Sequence, residues 1–164
     1  MHIRLVEPDE YARLGALTLD AYVTLDGHVH EPEYEEELVD VRARAEAPST
    51  EVLVAVDNEE RVLGGVTYII DEGSPYAEYD LTDAAAIRML AVDRTLRRSG
   101  TGEALVRACI DRARAAGRTH LVLHSTPWMI AAHALYTKLG FARDESLDWD
   151  VNPDVHLLGF RLAL

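Results

Sequence analysis

Between residues 85 and 125 the chain reads as a strand, a glycine-bearing turn, a long helix and a second strand, and this succession constrains the fold most. AAIRMLAVD is β-rich; TGEALVRACIDRARAAG is Ala-rich, without β-branched crowding, and closed by Gly117; HLVLHS predicts the next strand. Within the turn, Gly100 and Gly102 stand one residue apart, just behind Arg97 and Arg98. A helix start needs only one capping residue, so two spaced glycines suggest backbone left bare for something that lies against it. The unpaired N–H groups of a first helical turn, with the helix dipole, favour an anion there. Two familiar phosphate loops fail: the Walker loop needs Lys then Ser or Thr after its second glycine, where this chain has Glu103, and the dinucleotide fingerprint needs a third glycine where it has Leu105.

Upstream, HIRLVE alternates as a short strand, and residues 8–25 predict a helix with Pro8 and Asp9 near its start. EPEYEEELVDVRARAEA predicts one acidic amphipathic helix ended by Pro48. EVLVAVD and RVLGGVTYII flank the turn-like NEE and predict a hairpin, while residues 71–84 read as a loop. Downstream, PWMIAAHALYTKLG predicts a helix capped by Gly140, FARDESLDW a strand, and VHLLGFRLAL a last apolar strand. The expected class is α/β, a mixed sheet with helices on its faces. With 164 residues the chain suits a single domain, residues 1–164, burying roughly two thirds of its unfolded surface.

Charge and cysteine content narrow the function. The net charge of −13 argues against nucleic acid as a partner, since a phosphate backbone is bound by clustered Lys and Arg. Residues 1–80 carry 20 acids and 5 bases, and residues 81–164 carry 9 acids and 11 bases. Arg88, Arg94, Arg97 and Arg98 fall within eleven residues with Asp93 the only acid among them, which reads as an anion site or an ion-paired edge. The single Cys109 excludes an intrachain disulfide and, set among Leu105, Val106, Ile110 and Ala113, reads as a core thiol. No apolar run has the length of a membrane span and the N-terminus lacks the blocks of a signal peptide, so a cytoplasmic location is expected.

Arg-x-x-Gly-x-Gly at Arg97, Gly100 and Gly102 resembles the pyrophosphate loop of the GNAT N-acetyltransferase superfamily, whose members bind acetyl-coenzyme A. It follows a strand bearing hydrophobic-x-Val at Leu90 to Val92. Some thirty residues on, Ala132, Leu135, Tyr136, Gly140 and Phe141 resemble the family's Ala-x-x-Leu-Tyr-x-x-x-Gly-Phe signature. The likeness is close over about residues 50–145, and the element order extends it along the chain. It implies a central twisted, mostly antiparallel sheet with helices on both faces.

The resemblance also assigns residues. The backbone N–H groups from Arg98 through Ser99, Gly100, Thr101 and Gly102 to Glu103 would cradle the coenzyme's pyrophosphate, with Arg97 or Arg98 adding side-chain charge. The fourth strand would splay from the fifth and offer the backbone of Leu90, Ala91 and Val92 to the pantetheine arm as an added strand, one N–H serving the oxyanion. Tyr136 would protonate the leaving thiolate, a phenol of pKa ~10 serving a thiol of pKa ~8.5. Two positions depart from the family: Met129 stands where an Asn often contacts the coenzyme, and Ala84 to Ala86 where a Glu often acts as base.

An amine of pKa ~10 must lose a proton before it attacks. The candidate bases are Glu72, Glu78, Asp83 and His124, or a water chain. Tyr22, Tyr68, His124 and Trp128 are the expected acceptor-binding residues, with His28, Tyr34 and Trp149 as other large side chains available. No metal is expected: His120 and His124 share a strand face without a spaced carboxylate, and HVHEPE at 28–33, though able in principle to bind a metal, reads as a polar loop. The acidic N-terminal half favours a cationic acceptor, the primary amine of a small molecule, an aminoacyl compound or a peptide N-terminus, and the resemblance allows a homodimer. Two other functions fit: an acyl-coenzyme A sensor without turnover, kept open by Met129 and the missing Glu, and an acyltransferase for longer chains.

Overall fold

The computed structural model describes residues 1–96 and 99–164. Its strands are β1 (His2–Leu5), β2 (Thr50–Val56), β3 (Val62–Ile69), β4 (Ala84–Val92), β5 (His120–Ser125), β6 (Ala142–Arg143), β7 (Trp149–Asn152) and β8 (Val155–Ala163). The helices are α1 (Tyr11–Val23), α2 (Pro32–Val39), α3 (Val41–Ala45), α4 (Thr101–Ala115) and α5 (Ile130–Lys138). The sheet runs β1-β2-β3-β4-β5-β8-β6, with β7 on β8, and every pairing is antiparallel except β4 with β5. A parallel pair needs a crossover, which α4 supplies.

Both sheet faces are covered, so β2 is apolar at every position after Glu51. Leu53 and Ala55 face the α4 side with Val66, Ile87 and Leu121, against the stripe Leu105, Val106, Cys109, Ile110 and Ala113. Val52, Val54 and Val56 alternate to the other side, against Leu14 and Leu17 of α1 and Val41 of α3. Cys109 is fully buried, and burial pushes its thiol up, away from thiolate chemistry. No helix of the described residues is long and apolar enough to cross a membrane.

The structure departs from the sequence reading at two places. The acidic helix breaks at Asp40, whose ψ of 73° leaves the helical region while its carboxylate accepts the Ala43 N–H at 2.9 Å. The break turns Arg44 inward. Only 1% exposed, Arg44 donates from Nη1 to the carbonyls of Glu37 (2.6 Å) and Leu38 (3.2 Å) at the end of α2, and touches Met89 Sδ of β4. Arg44→Met leaves those carbonyls bare, and a loss of about 2–3 kcal/mol is expected in urea denaturation.

The second departure lies in 141–149, which is no continuous strand. Asp144 accepts the Ser146 N–H at 3.0 Å and starts a 3-10 turn over Glu145–Leu147, so the side chain outcompetes the ladder. The chain then returns as β7.

Candidate functional site

The decisive local feature is an extra residue in β4. Gly65 pairs with Ala91 but Thr67 with Arg88, so three steps on β4 match two on β3, and Met89 takes φ +53° in the resulting bulge. That conformation costs a non-glycine residue roughly 1–2 kcal/mol. It also reverses which side chains face which side: Ala85 and Ile87 join the α4 face, and beyond the bulge Leu90 does.

Past the bulge the sheet opens. β4 and β5 pair from Ala84 with His120 to Ile87 with Leu123 and no further, although β5 continues beside β8 to Ser125. Asp93 N–H donates to Leu63 O on β3 at 2.8 Å, so by strand alternation the N–H and C=O groups of Val92 and Leu90 face the gap, and those of Ala91 face β3.

The gap begins at the N-terminus of α4. Gly100 sits there at φ +83°, and a side chain at that position would meet nothing within 4 Å. Ala104 N–H makes an intrahelical bond to Gly100 O, leaving the N–H groups of Thr101, Gly102 and Glu103 as those that helix geometry does not pair.

On the other side of the sheet lies a cavity of about 710 Å³. Tyr22 of α1, Tyr34 and Glu37 of α2, Glu78 from the loop before β4, Arg88 and Met89 of the bulge, His124 of β5 and Trp128 all line it. Arg88 pairs with Glu78 at 2.9 Å and Glu37 at 3.7 Å. Burial works against its charge, but Glu78, Tyr34 and Glu37 outweigh that and raise its pKa. For Glu78 burial dominates and raises the carboxyl against Arg88. Burial also pushes Tyr34 up to about 12, and Tyr22, edge-on to it at 6.2 Å, rises through burial and the nearby phenols of Tyr34 and Tyr136.

The profile of the acetyltransferase (GNAT) family matches residues 16–141, from α1 through the bulge and α4 to the start of β6. The chain belongs to the GNAT acetyltransferase family. Solved structures carry the same fold over the whole chain. An acetyltransferase of the GNAT family from Staphylococcus aureus Mu50 superposes with a TM-score of 0.78 at 15% identity, covering 99% of this chain and 98% of its own. The yncA protein of Salmonella typhimurium, solved with its cofactor acetyl-CoA, gives 0.71 at 19% identity, covering 99% and 93%. The ribosomal-protein-S18-alanine N-acetyltransferase of Escherichia coli gives 0.67 at 18%, covering 99% and 92%. No curated protein matches the sequence significantly.

Acetyl-CoA, the family's cosubstrate, is tested against these residues by the gap and the α4 terminus: an unpaired strand edge suits an amide-bearing arm, and the open Gly100 position suits a phosphate. The residues fit the group. Arg97 and Arg98 lie outside the described residues. Thr101 turns inward, 1% exposed: its Oγ1 bonds Ser99 Oγ at 2.7 Å, and its own N–H reaches the same Oγ at 3.4 Å. Glu103 is held by Arg107 (2.8 Å) and Lys138 (2.5 Å), whose hydrogen bonds lower its pKa. Gly102 differs from its sequence reading: an added Cβ would sit in ordinary contact with Leu135 (3.5 Å) and Val92 (3.6 Å), so it faces the interior. Of the two glycines, only Gly100 has the positive φ that favours glycine.

Three of the four expected acceptor residues, Tyr22, His124 and Trp128, line the cavity. Tyr68 is a correction: 2% exposed, it packs in the α4-side core of β3, because its strand position points through the sheet away from the cavity. Of the candidate bases, Glu78 and His124 line the cavity, while Glu72 and Asp83 are exposed elsewhere. The arginine cluster also divides: Arg88 enters the cavity, and Arg94 pairs with Asp20 at 3.7 Å on the surface. Glu37 escaped the sequence reading because nothing local distinguishes it from the other acids of α2.

His124 makes stability depend on pH. Burial lowers its pKa, and Nε2 donates to Leu147 O at 2.8 Å, so the folded protein keeps it neutral. The unfolded chain takes up that proton below about 6.5 and the folded chain resists, so stability falls as pH drops from there. Carboxylates with lowered pKa, Asp144 and Asp148 among them, add a further loss below about pH 4. Melting temperature against pH is expected to show both declines, and His124→Phe to reduce the first, to which His133, its pKa also lowered by burial, contributes the rest.

Proposed function

We propose that this protein transfers the acetyl group of acetyl-CoA to a primary amine, by direct attack with both substrates bound. The observation that carries the reading is the opening between β4 and β5 beyond Ile87 and Leu123, which lies between the α4 terminus and a cavity fit for an acceptor. In this reading the backbone of Leu90 and Val92 holds the pantetheine arm, the N–H groups from Ser99 to Glu103 take the pyrophosphate, and Tyr136 returns a proton to the thiolate. A fixed N–H aimed at the acyl oxygen needs no reorganisation as charge develops.

The cavity's chemistry supports an amine that is cationic before it reacts. Glu31, Glu33, Glu37 and Glu78 line it against the guanidinium of Arg88, the one arginine among the described residues there, and Leu25, Val29 and Leu157 add apolar wall. The acceptor class we favour is therefore an amine on an apolar or aromatic body, in a small molecule or a peptide N-terminus. In this reading Glu78 or the unprotonated Nδ1 of His124, both of which line the cavity, takes the amine's proton, directly or through water.

An amine panel assayed by release of coenzyme A thiol tests this. Cationic amines with apolar bodies are expected to be acetylated, and Glu37→Gln to raise their KM about tenfold with kcat little changed, as for a lost hydrogen bond to a charged group. Preference for anionic acceptors would overturn the substrate class. Acetyl-CoA binding with no thiol release from any amine would favour the sensor reading.

A further inference from the structure

We infer that His28, His30 and Glu35 form a binding site for a divalent transition metal of the zinc class at the mouth of the acceptor cavity. Read as sequence, HVHEPE offers two histidines with Glu31 and Glu33 beside them and nothing that singles out Glu35. The fold singles it out, because Pro32 starts α2 directly after the loop and its first turns bring Glu35 back over both imidazoles.

The donor atoms are already gathered. A single oxygen, Glu35 Oε1, accepts from His28 Nε2 at 3.0 Å and from His30 Nδ1 at 2.7 Å, and all three ligand atoms lie within 4.8 Å of one another. Around a tetrahedral zinc with bonds of about 2.0–2.1 Å, neighbouring donors stand about 3.4 Å apart. Both nitrogen–oxygen edges need to widen by less than an ångström to admit the ion.

The neighbouring structure holds the loop in this arrangement. His28 N–H donates to Leu25 O at 3.0 Å, and Gly27, at φ +90°, lies so close to Trp128 that a Cβ would stand 3.1 Å from its ring. On the far side Glu31 accepts from Asn152 Nδ2 of β7 at 2.7 Å, and Glu35 N–H donates to Glu31 O at 2.9 Å. Ligands fixed by such outer contacts cost little ordering when a metal binds.

Two imidazoles and one carboxylate match zinc and its neighbours in the transition series, whereas magnesium and calcium prefer all-oxygen sets. The ring nitrogens that now donate to Glu35 become lone-pair donors to the metal when each neutral imidazole carries its proton on the other ring nitrogen. Three protein ligands leave one tetrahedral position for water or for a donor atom of the acceptor, since His28 and His30 both line the cavity.

The test uses the full chain, stripped by chelator and titrated with zinc by calorimetry and with cobalt(II) by visible absorption. One equivalent of zinc and the intense band of four-coordinate cobalt are expected, with a metal-dependent rise in melting temperature. His28→Asn and Glu35→Gln should each weaken zinc binding on the order of a hundredfold, the upper range for disturbing a metal's supporting residues. Circular dichroism would show that both variants fold. His156→Asn serves as control, because His156 with Asp150 (2.6 Å) and Asp148 (3.6 Å) is a second histidine–carboxylate group, and it should leave affinity unchanged. Absence of stoichiometric zinc binding, binding that survives in both site variants, or binding lost in the control would overturn the site. None of these readouts depends on acetyl transfer.

Discussion

Gly100→Asp is expected to weaken acetyl-CoA binding about ten- to a hundredfold, whereas Gly100→Asn keeps most of it. Gly100 has φ +83° and open space where a Cβ would go, so neither side chain clashes, and Asn and Asp are the residues that best tolerate this left-handed conformation. The two variants therefore share the backbone strain and differ by one charge. A carboxylate about 6 Å from a phosphate at an effective dielectric of 20–40 costs about 1.5–3 kcal/mol, which sets the range. Calorimetric affinity at low salt and the rise in melting temperature with saturating acetyl-CoA check it, and the gap between the variants should narrow as salt increases. Equal affinities would remove the pyrophosphate from the α4 terminus.

Tyr136→Phe should lower kcat by a factor of about a hundred or more while leaving the KM for acetyl-CoA and the melting temperature nearly unchanged. The ring sits in the core, 5.8 Å from Phe141 and 5.9 Å from Phe160, and phenylalanine fills the same space. Burial alone raises its pKa, with no charge or hydrogen bond among the described residues to offset it. The phenol consequently stays protonated through neutral pH, the state required of a general acid, and positioned acids contribute roughly 10²–10⁴ in rate. Steady-state kinetics with an acceptor from the amine panel, beside thermal melts, separates the roles: a fall in Tm at unchanged kcat would make Tyr136 a packing residue only.

Much of the fold was legible because its causes are local. The β-rich runs of β2 and β3, the apolar stripe of α4 and the Gly117 and Gly140 stops depend on residues within a turn or two of each other. The same locality explains the errors: the competing hydrogen bonds of Asp40 and Asp144 were available in sequence, but whether they beat the helix or the strand depended on what Arg44 and Leu147 could bury against. The bulge carried no glycine to mark it, since Met89 holds a left-handed φ inside a sheet that pairs on both flanks.

By itself, then, the sequence determined most of the order of the elements and, through its paired motifs, the family. Only the tertiary structure decided the cavity, because Tyr22, Glu37, Glu78, Arg88 and His124 come from separate segments and their directions follow from packing rather than from neighbours in the chain. It sent Tyr68 into the core and Arg88 to the carboxylates through strand alternation at two positions of one sheet. It also joined Glu35 to His28 and His30, since the path of a loop is set by the contacts at its two ends, here Trp128 and Asn152.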